Sequence, residues 1–226
     1  INENSGVIIE VNAETDFVAR NENFQQFCCD LSLTCLDSKI ENLENLLNSK
    51  YKNTDLTVQD SLTNIISKLG ENIIIRRLKY FGESGIFFQK YLHNSINNDS
   101  GKIGVLLSYS VKEKSKDTEE FSKNICMHIA ASDPKSINIE GLEQEIVDKE
   151  RLIYKEQLKS SDKPENILEK IIDGKIKKFY QEVCLLEQFF VMDNKVQIKS
   201  CIDSFNKKHN TEFKIENFEI FKLGQE

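Results

Sequence analysis

An α+β fold is predicted for this chain: a two-subdomain core of small antiparallel sheets with packed helices, plus an inserted antiparallel coiled-coil hairpin. Three features carry the prediction. Short β-branched runs such as VIIEV and NIIIRRL are interspersed with stripes of helical spacing. The turn NNDSG, Asn97 to Gly101, joins two strand candidates directly. A charged region from Ile139 to about Glu182 carries only narrow apolar seams and has strand candidates on both sides.

The elements follow in order. Gly6 to Val11 reads as a strand, short, apolar and rich in β-branched residues. Asn23, with Gln26 three residues on, offers an N-cap for a helix whose Phe24, Phe27, Cys28, Leu31 and Cys35 recur at helical spacing. Glu41 to Leu47 is a short helical pattern, and Lys50 to Asp55 a loop. Thr57 with Asp60 caps a helix bearing Leu62, Ile65, Ile66 and Leu69, which stops at Gly70. Strands are predicted over Asn72 to Phe81, Gly85 to Leu92 and Lys102 to Val111. Asp117 or Thr118 then opens a helix with Phe121, Ile125 and Ile129 inward, ended by Pro134.

Beyond Ile139 the pattern changes. Leu142, Ile146 and Ile153 recur at spacings of four and seven, with Glu and Lys between them. Ser161 to Pro164 supplies a turn, a cap and a proline near the first helical position. Ile167, Leu168, Ile171, Ile172, Ile176, Phe179 and Val183 form a second stripe, so two charged helices fold back as a hairpin. A helix around Val196 to Lys208 and a strand over Glu212 to Lys222 close the chain. The expected divisions are 1–82 for the first subdomain, 83–138 and 183–226 for the two parts of the second, and 139–182 for the hairpin.

A chain of 226 residues with 39% apolar and 30% charged residues can bury a real core. Its net charge of −7 argues against a general nucleic-acid binder, which needs basic residues to displace phosphate counterions. No apolar run approaches the roughly 20 residues that span a bilayer, and because the chain opens directly into INENSGVIIEV no signal peptide is expected. Six cysteines show no C-x-x-C spacing and sit mostly in helical patterns, as free thiols of a reducing compartment do. No phosphate-binding glycine loop occurs, GESG lacks nucleophile-elbow spacing, and His93, His128 and His209 match no metal spacing. Neither catalytic residues nor a cofactor are expected.

The stretch VIIEVNAETDFVARN, Val7 to Asn21, resembles the signature of the elongation factor Ts family. Further blocks match in the family's order: Thr57 to Leu78, KIGVLL from Lys102, MHIAASDP from Met127, KIKKFYQEVCL from Lys175 and QFFVMD from Gln188. The resemblance covers the family's core and coiled coil, while its N-terminal helical domain is not in this chain. Phe189 stands where the family usually has proline, the segment after Asp193 is shorter than usual, and the loop Asn97 to Ser100 is longer.

The resemblance implies a guanine-nucleotide exchange factor that binds elongation factor Tu, GDP-bound and nucleotide-free. Asp16 and Phe17 would enter a cleft of the partner's nucleotide domain and disturb its magnesium and phosphate binding. It further implies partner contacts for Thr15, Val18, Arg20, Asn21, Ile103, Gly104 and His128. From the residues alone, Phe17 could equally be a hydrophobic staple, His128 a core histidine and Gly104 a strand bulge. The rival function is a coiled-coil adaptor without exchange activity. The expected setting is the bacterial cytoplasm, with an organelle matrix or plastid as the alternative; richness in Asn, Lys and Ile suits an AT-rich genome, that of a bacterium with a reduced genome or of an organelle.

Overall fold

The computed structural model describes residues 1–159 and 164–225. The fold is α+β, as predicted, with small antiparallel sheets. It divides into two compact units, residues 1–130 with 212–226, and residues 131–211.

The first unit is layered. Strand β1 (Ser5–Ala13) pairs antiparallel with β2 (Ile73–Gly82). A second sheet has the order β3 (Phe87–Ser95), β4 (Gly101–Ser110), β7 (Lys214–Lys222). The period-two pleat of β1 sends Val7, Ile9 and Val11 into a core with α2 (Glu22–Ser38) and α4 (Val58–Leu69), where Phe24, Phe27, Leu31, Leu62 and Ile65 are buried. Its other face meets β4. There the sheets interlock through two glycines: a Cβ on Gly6 would lie 2.6 Å from Leu106 Cδ1, and a Cβ on Gly104 2.8 Å from Ile8 Cδ1. On the far side of β4, Tyr109 stacks on Phe213 at 4.9 Å. Phe121 of α5 (Lys116–Ser132) meets the same ring edge-on.

Gly104 therefore accommodates its own chain. It pairs in register with Leu92 and with Phe221, so the strand has no bulge there. Gly104→Ala is expected to destabilise the fold by about 1–2 kcal/mol through overpacking. Ile8→Val, which deletes the clashing Cδ1, should relieve part of that cost in the double variant. Additive losses in a melting cycle of the four proteins would refute the interlock.

A bulge organises the buried charge of this unit. Between Glu10 and Val11 the register with β2 shifts by one residue, from Glu10↔Arg77 to Val11↔Ile75. The extra residue, Arg76, breaks the alternation, so both arginines reach one carboxylate. Glu10, only 4% exposed, accepts from Arg77 Nε at 2.6 Å, from Arg76 Nη1 at 3.4 Å and from the Gly224 N–H at 3.0 Å. Arg77 also donates to the carbonyls of Lys222 and Gln225 and lies 4.3 Å over the Phe221 ring. The first and last strands are thus tied by a single charged cluster.

Local signals held well in α4: Thr57 and Asp60 form a reciprocal capping box, and Gly70 closes the helix at φ +72°. Helix α2 is capped two residues earlier than predicted, by Asn21, whose side chain accepts from the Asn23 N–H at 2.9 Å. The short α3 (Leu43–Asn48) is capped by Asn42.

In the second unit, α6 (Gln144–Leu158) and α7 (Glu165–Val183) share a narrow core of Leu142, Val147, Ile172, Ile176 and Cys184. Ile153, predicted in this seam, is exposed; Tyr154 packs there instead, its ring covered by the Lys175 ammonium at 4.8 Å. The turn and cap expected at Ser161 to Lys163 lie outside the described residues. A small unpredicted hairpin, β5 (Phe189–Phe190) and β6 (Asp193–Gln197), precedes α8 (Ile198–His209), which therefore begins at Ile198 rather than Val196. Phe189 is exposed, so an aromatic is tolerated at that position.

Candidate functional site

The site is built where β1 runs out. After Ala13 the chain stays extended, with Thr15 at φ −128°, ψ 153°, and then makes a single helical turn, α1 (Asp16–Ala19). Thr15 caps that turn by accepting from the Val18 N–H at 3.4 Å. Arg20 ends it, and Asn21 at once caps α2, its own N–H donating to the Val18 carbonyl at 2.9 Å. Two helix starts are thus packed into seven residues. A turn this short has no stability of its own and depends on its attachments.

Neighbouring residues in this turn face opposite ways. Val18 is 7% exposed and belongs to the core with Phe24 and Ile65, whereas Phe17 is 88% exposed. Of the two alternatives for Phe17, the ring is therefore not a staple against α2; Val18 is the residue of this turn that joins the core. A lone exposed aromatic is ordinary on a protein surface. This one differs because the backbone on both sides of it is fixed.

Two distant residues hold the turn. Glu71, just past the end of α4, accepts from the Thr15 hydroxyl at 2.7 Å and from the Thr15 N–H at 3.1 Å. Lys102, at the start of β4, lies 3.4 Å from Asp16 Oδ1. Both members of that ion pair are well exposed, so it biases geometry more than stability. Neither Glu71 nor Lys102 was singled out from the sequence, since these contacts span 56 and 86 residues.

The expected contact residues divide into three groups. Thr15, Asp16, Phe17, Arg20 and Asn21 form one continuous turn, with Val18 as its buried foot. Ile103, half-buried, and Gly104, buried, follow Lys102 on β4 and so start beside that turn. His128 is separate: it lies in α5 with no accessible surface, and presents no imidazole to solvent in this chain.

Among the described residues no group of three or more His, Cys, Asp or Glu side chains could hold a metal ion. All six cysteines are free thiols. Burial pushes Cys28 and Cys35 up to about 12, far from the thiolate a nucleophile requires. Among the described residues, no helix is long and apolar enough to cross a membrane.

Comparison with known sequences places this geometry in context. The profile of the family described as Elongation factor TS matches residues 14–225. A protein named Elongation factor Ts from Ehrlichia ruminantium (strain Gardel) is 37% identical over 225 residues, covering all of this chain and 78% of its own length. Proteins of the same name from Clostridium botulinum (strain Eklund 17B / Type B) and Rickettsia bellii are 38% and 36% identical, each covering 98% of this chain and 71% of the relative.

Proposed function

The chain belongs to the elongation factor Ts family of translation elongation factors, and from that premise we propose that it is a guanine-nucleotide exchange factor for elongation factor Tu. The observation that carries the proposal is the Phe17 ring, almost wholly exposed on a turn fixed from both ends. A rigid aromatic supplies contact area with few rotamers to freeze on binding. Asp16, beside it, brings a carboxylate to the same place.

The physical basis is linkage. A factor that binds the nucleotide-free partner better than the nucleotide-bound one lowers the partner's nucleotide affinity by the same coupling energy. Insertion of Phe17 and Asp16 into the partner's nucleotide domain would disturb the elements around its magnesium ion. That ion is a vulnerable point, because it keeps several waters and uses few protein ligands. The contact surface on this chain is Thr15 to Asn21 with the start of β4 around Ile103. His128, with no accessible surface in this chain, lies outside the exposed part of that surface. The nucleotide and its magnesium belong to the partner, so this chain supplies no cofactor and no catalytic group.

The test is direct. Added to elongation factor Tu loaded with a fluorescent GDP, the protein should accelerate GDP release in a dose-dependent way, and raising magnesium should oppose it. Exposed Leu152, Ile153 and Ile167 on the paired helices favour the adaptor reading. Binding to that partner with no change in its GDP release would establish the adaptor instead.

A further inference from the structure

We propose that Glu71 is the positioning residue of the exposed wedge: its carboxylate clasps Thr15 and holds Phe17 in the inserting orientation before any partner arrives. This rests on the reading above that Phe17 is the inserted side chain.

The geometry begins with strand register. Ala13 at the end of β1 faces Ile73 at the start of β2. Two residues beyond that last backbone pair, Thr15 and Glu71 stand opposite each other, and the ladder continues through a side chain. Gly70, at φ +72°, makes this possible by turning the chain out of α4 so that Glu71 meets the end of β1. The two carboxylate oxygens divide the donors, Oε1 taking the Thr15 hydroxyl proton and Oε2 the Thr15 N–H. With its proton committed, the hydroxyl oxygen keeps a lone pair for the Val18 N–H. Glu71 therefore sets the rotamer of the residue that caps α1.

Only Asp16 and Phe17 lie between this clasp and the buried foot at Val18. Their backbone has little freedom left, so little is lost when the ring enters a cleft. Without Glu71, Thr15 would keep its cap but lose the partner that fixes it. A one-turn helix held only at Val18 and by the exposed Lys102–Asp16 pair would sample many orientations of the ring. Charge is not the essential property, since Asp16 remains paired with Lys102 in either case. What matters is the pair of acceptors at fixed spacing.

The chain contains no tryptophan, so Phe17→Trp provides the sole indole emission. In the whole protein, time-resolved anisotropy of that indole should be dominated by overall tumbling. Adding Glu71→Ala should introduce a large fast component, and Glu71→Gln, which retains one acceptor, a smaller one. With Phe17 in place, Glu71→Ala should lower the maximal rate of stimulated GDP release by about tenfold at an unchanged half-saturating concentration. Glu71→Gln should recover only part of that rate, and melting should move by no more than a degree or two. An indole equally immobile in Glu71→Ala overturns the proposal. So does an unchanged maximal rate, or a loss that merely follows a lowered melting temperature. If Phe17→Ala itself leaves exchange intact, the wedge reading of the function is what fails, and the anisotropy result still decides whether Glu71 orders the turn.

Discussion

Phe17→Ala should leave the fold intact and remove most of the exchange activity. The ring buries almost nothing in the free chain, so its loss should change stability by no more than roughly 0.5 kcal/mol, as surface substitutions do. As an anchor in an interface it would carry about 2 kcal/mol, which is roughly 30-fold in GDP release at subsaturating factor. Asp16→Ala should also slow release, and added magnesium should oppose the native factor and both variants. Melting and stimulated release measured on the same preparations decide the matter. Unchanged release per folded molecule would reject insertion of the ring. The control is Val18→Ala, one residue away: it truncates a core side chain and should lower melting, whatever it does to exchange.

The second large effect is expected at Glu10. Glu10→Ala removes the common acceptor of Arg76, Arg77 and the Gly224 N–H, and should cost about 2–4 kcal/mol. Both arginines keep partial contact with water, which holds the cost below that of a fully enclosed orphan charge. The pH dependence has a definite sign. Burial pushes the Glu10 carboxyl up, but the Gly224 N–H, the Arg77 hydrogen bond and the charges of Arg77 and Arg76 outweigh it, so the group is held below the usual carboxylate range. A depressed folded-state value means that the stabilisation is fully present above the unfolded value of about 4.5 and is lost as pH falls through the lower, folded one. The melting advantage of the native protein over Glu10→Gln should therefore be constant near neutrality and shrink below about pH 4.5. An advantage that does not change down to pH 3 would mean that the cluster contributes shape and not charge.

What the sequence disclosed depended on the span of the interactions involved. Thr57, Asp60 and Gly70 were readable because a capping box and a helix-ending glycine are decided within four residues. The stripe on α2 was readable because its period repeats over several turns, although its start was misplaced: a one-turn helix ahead of it has too few residues to show a period. For the same reason the pattern around Phe17 could not say which of two adjacent apolar residues turns inward. Val18 does, joining the buried cluster that also holds Phe24 and Ile65, and only that tertiary burial decides it. The Glu71 clasp and the Glu10 cluster were invisible because they join residues tens to hundreds of positions apart. Tyr154 replaced Ile153 in the hairpin seam because a tyrosine can bury its ring and accept a lysine over its face, which a simple apolar spacing does not weigh. His128 sits in a motif that the family resemblance assigned to the partner surface, and its side chain has no accessible surface in this chain, which a sequence pattern does not show.

The charged cluster at Glu10 also sets an order of events in synthesis. Gly224, whose N–H it accepts, is made 214 residues after it. Until then the nascent chain holds β1, β2, β3 and β4 without the strand that completes the second sheet, and a carboxylate flanked by two arginines without its third donor. Roughly 80 residues of the other unit are translated in between, about 4–16 s at roughly 5–20 residues per second. That unit is contiguous and can acquire its own contacts during the wait. The first unit closes last, when its final strand leaves the ribosome, and a chain stalled short of Lys214 would present an open β4 edge to the cell.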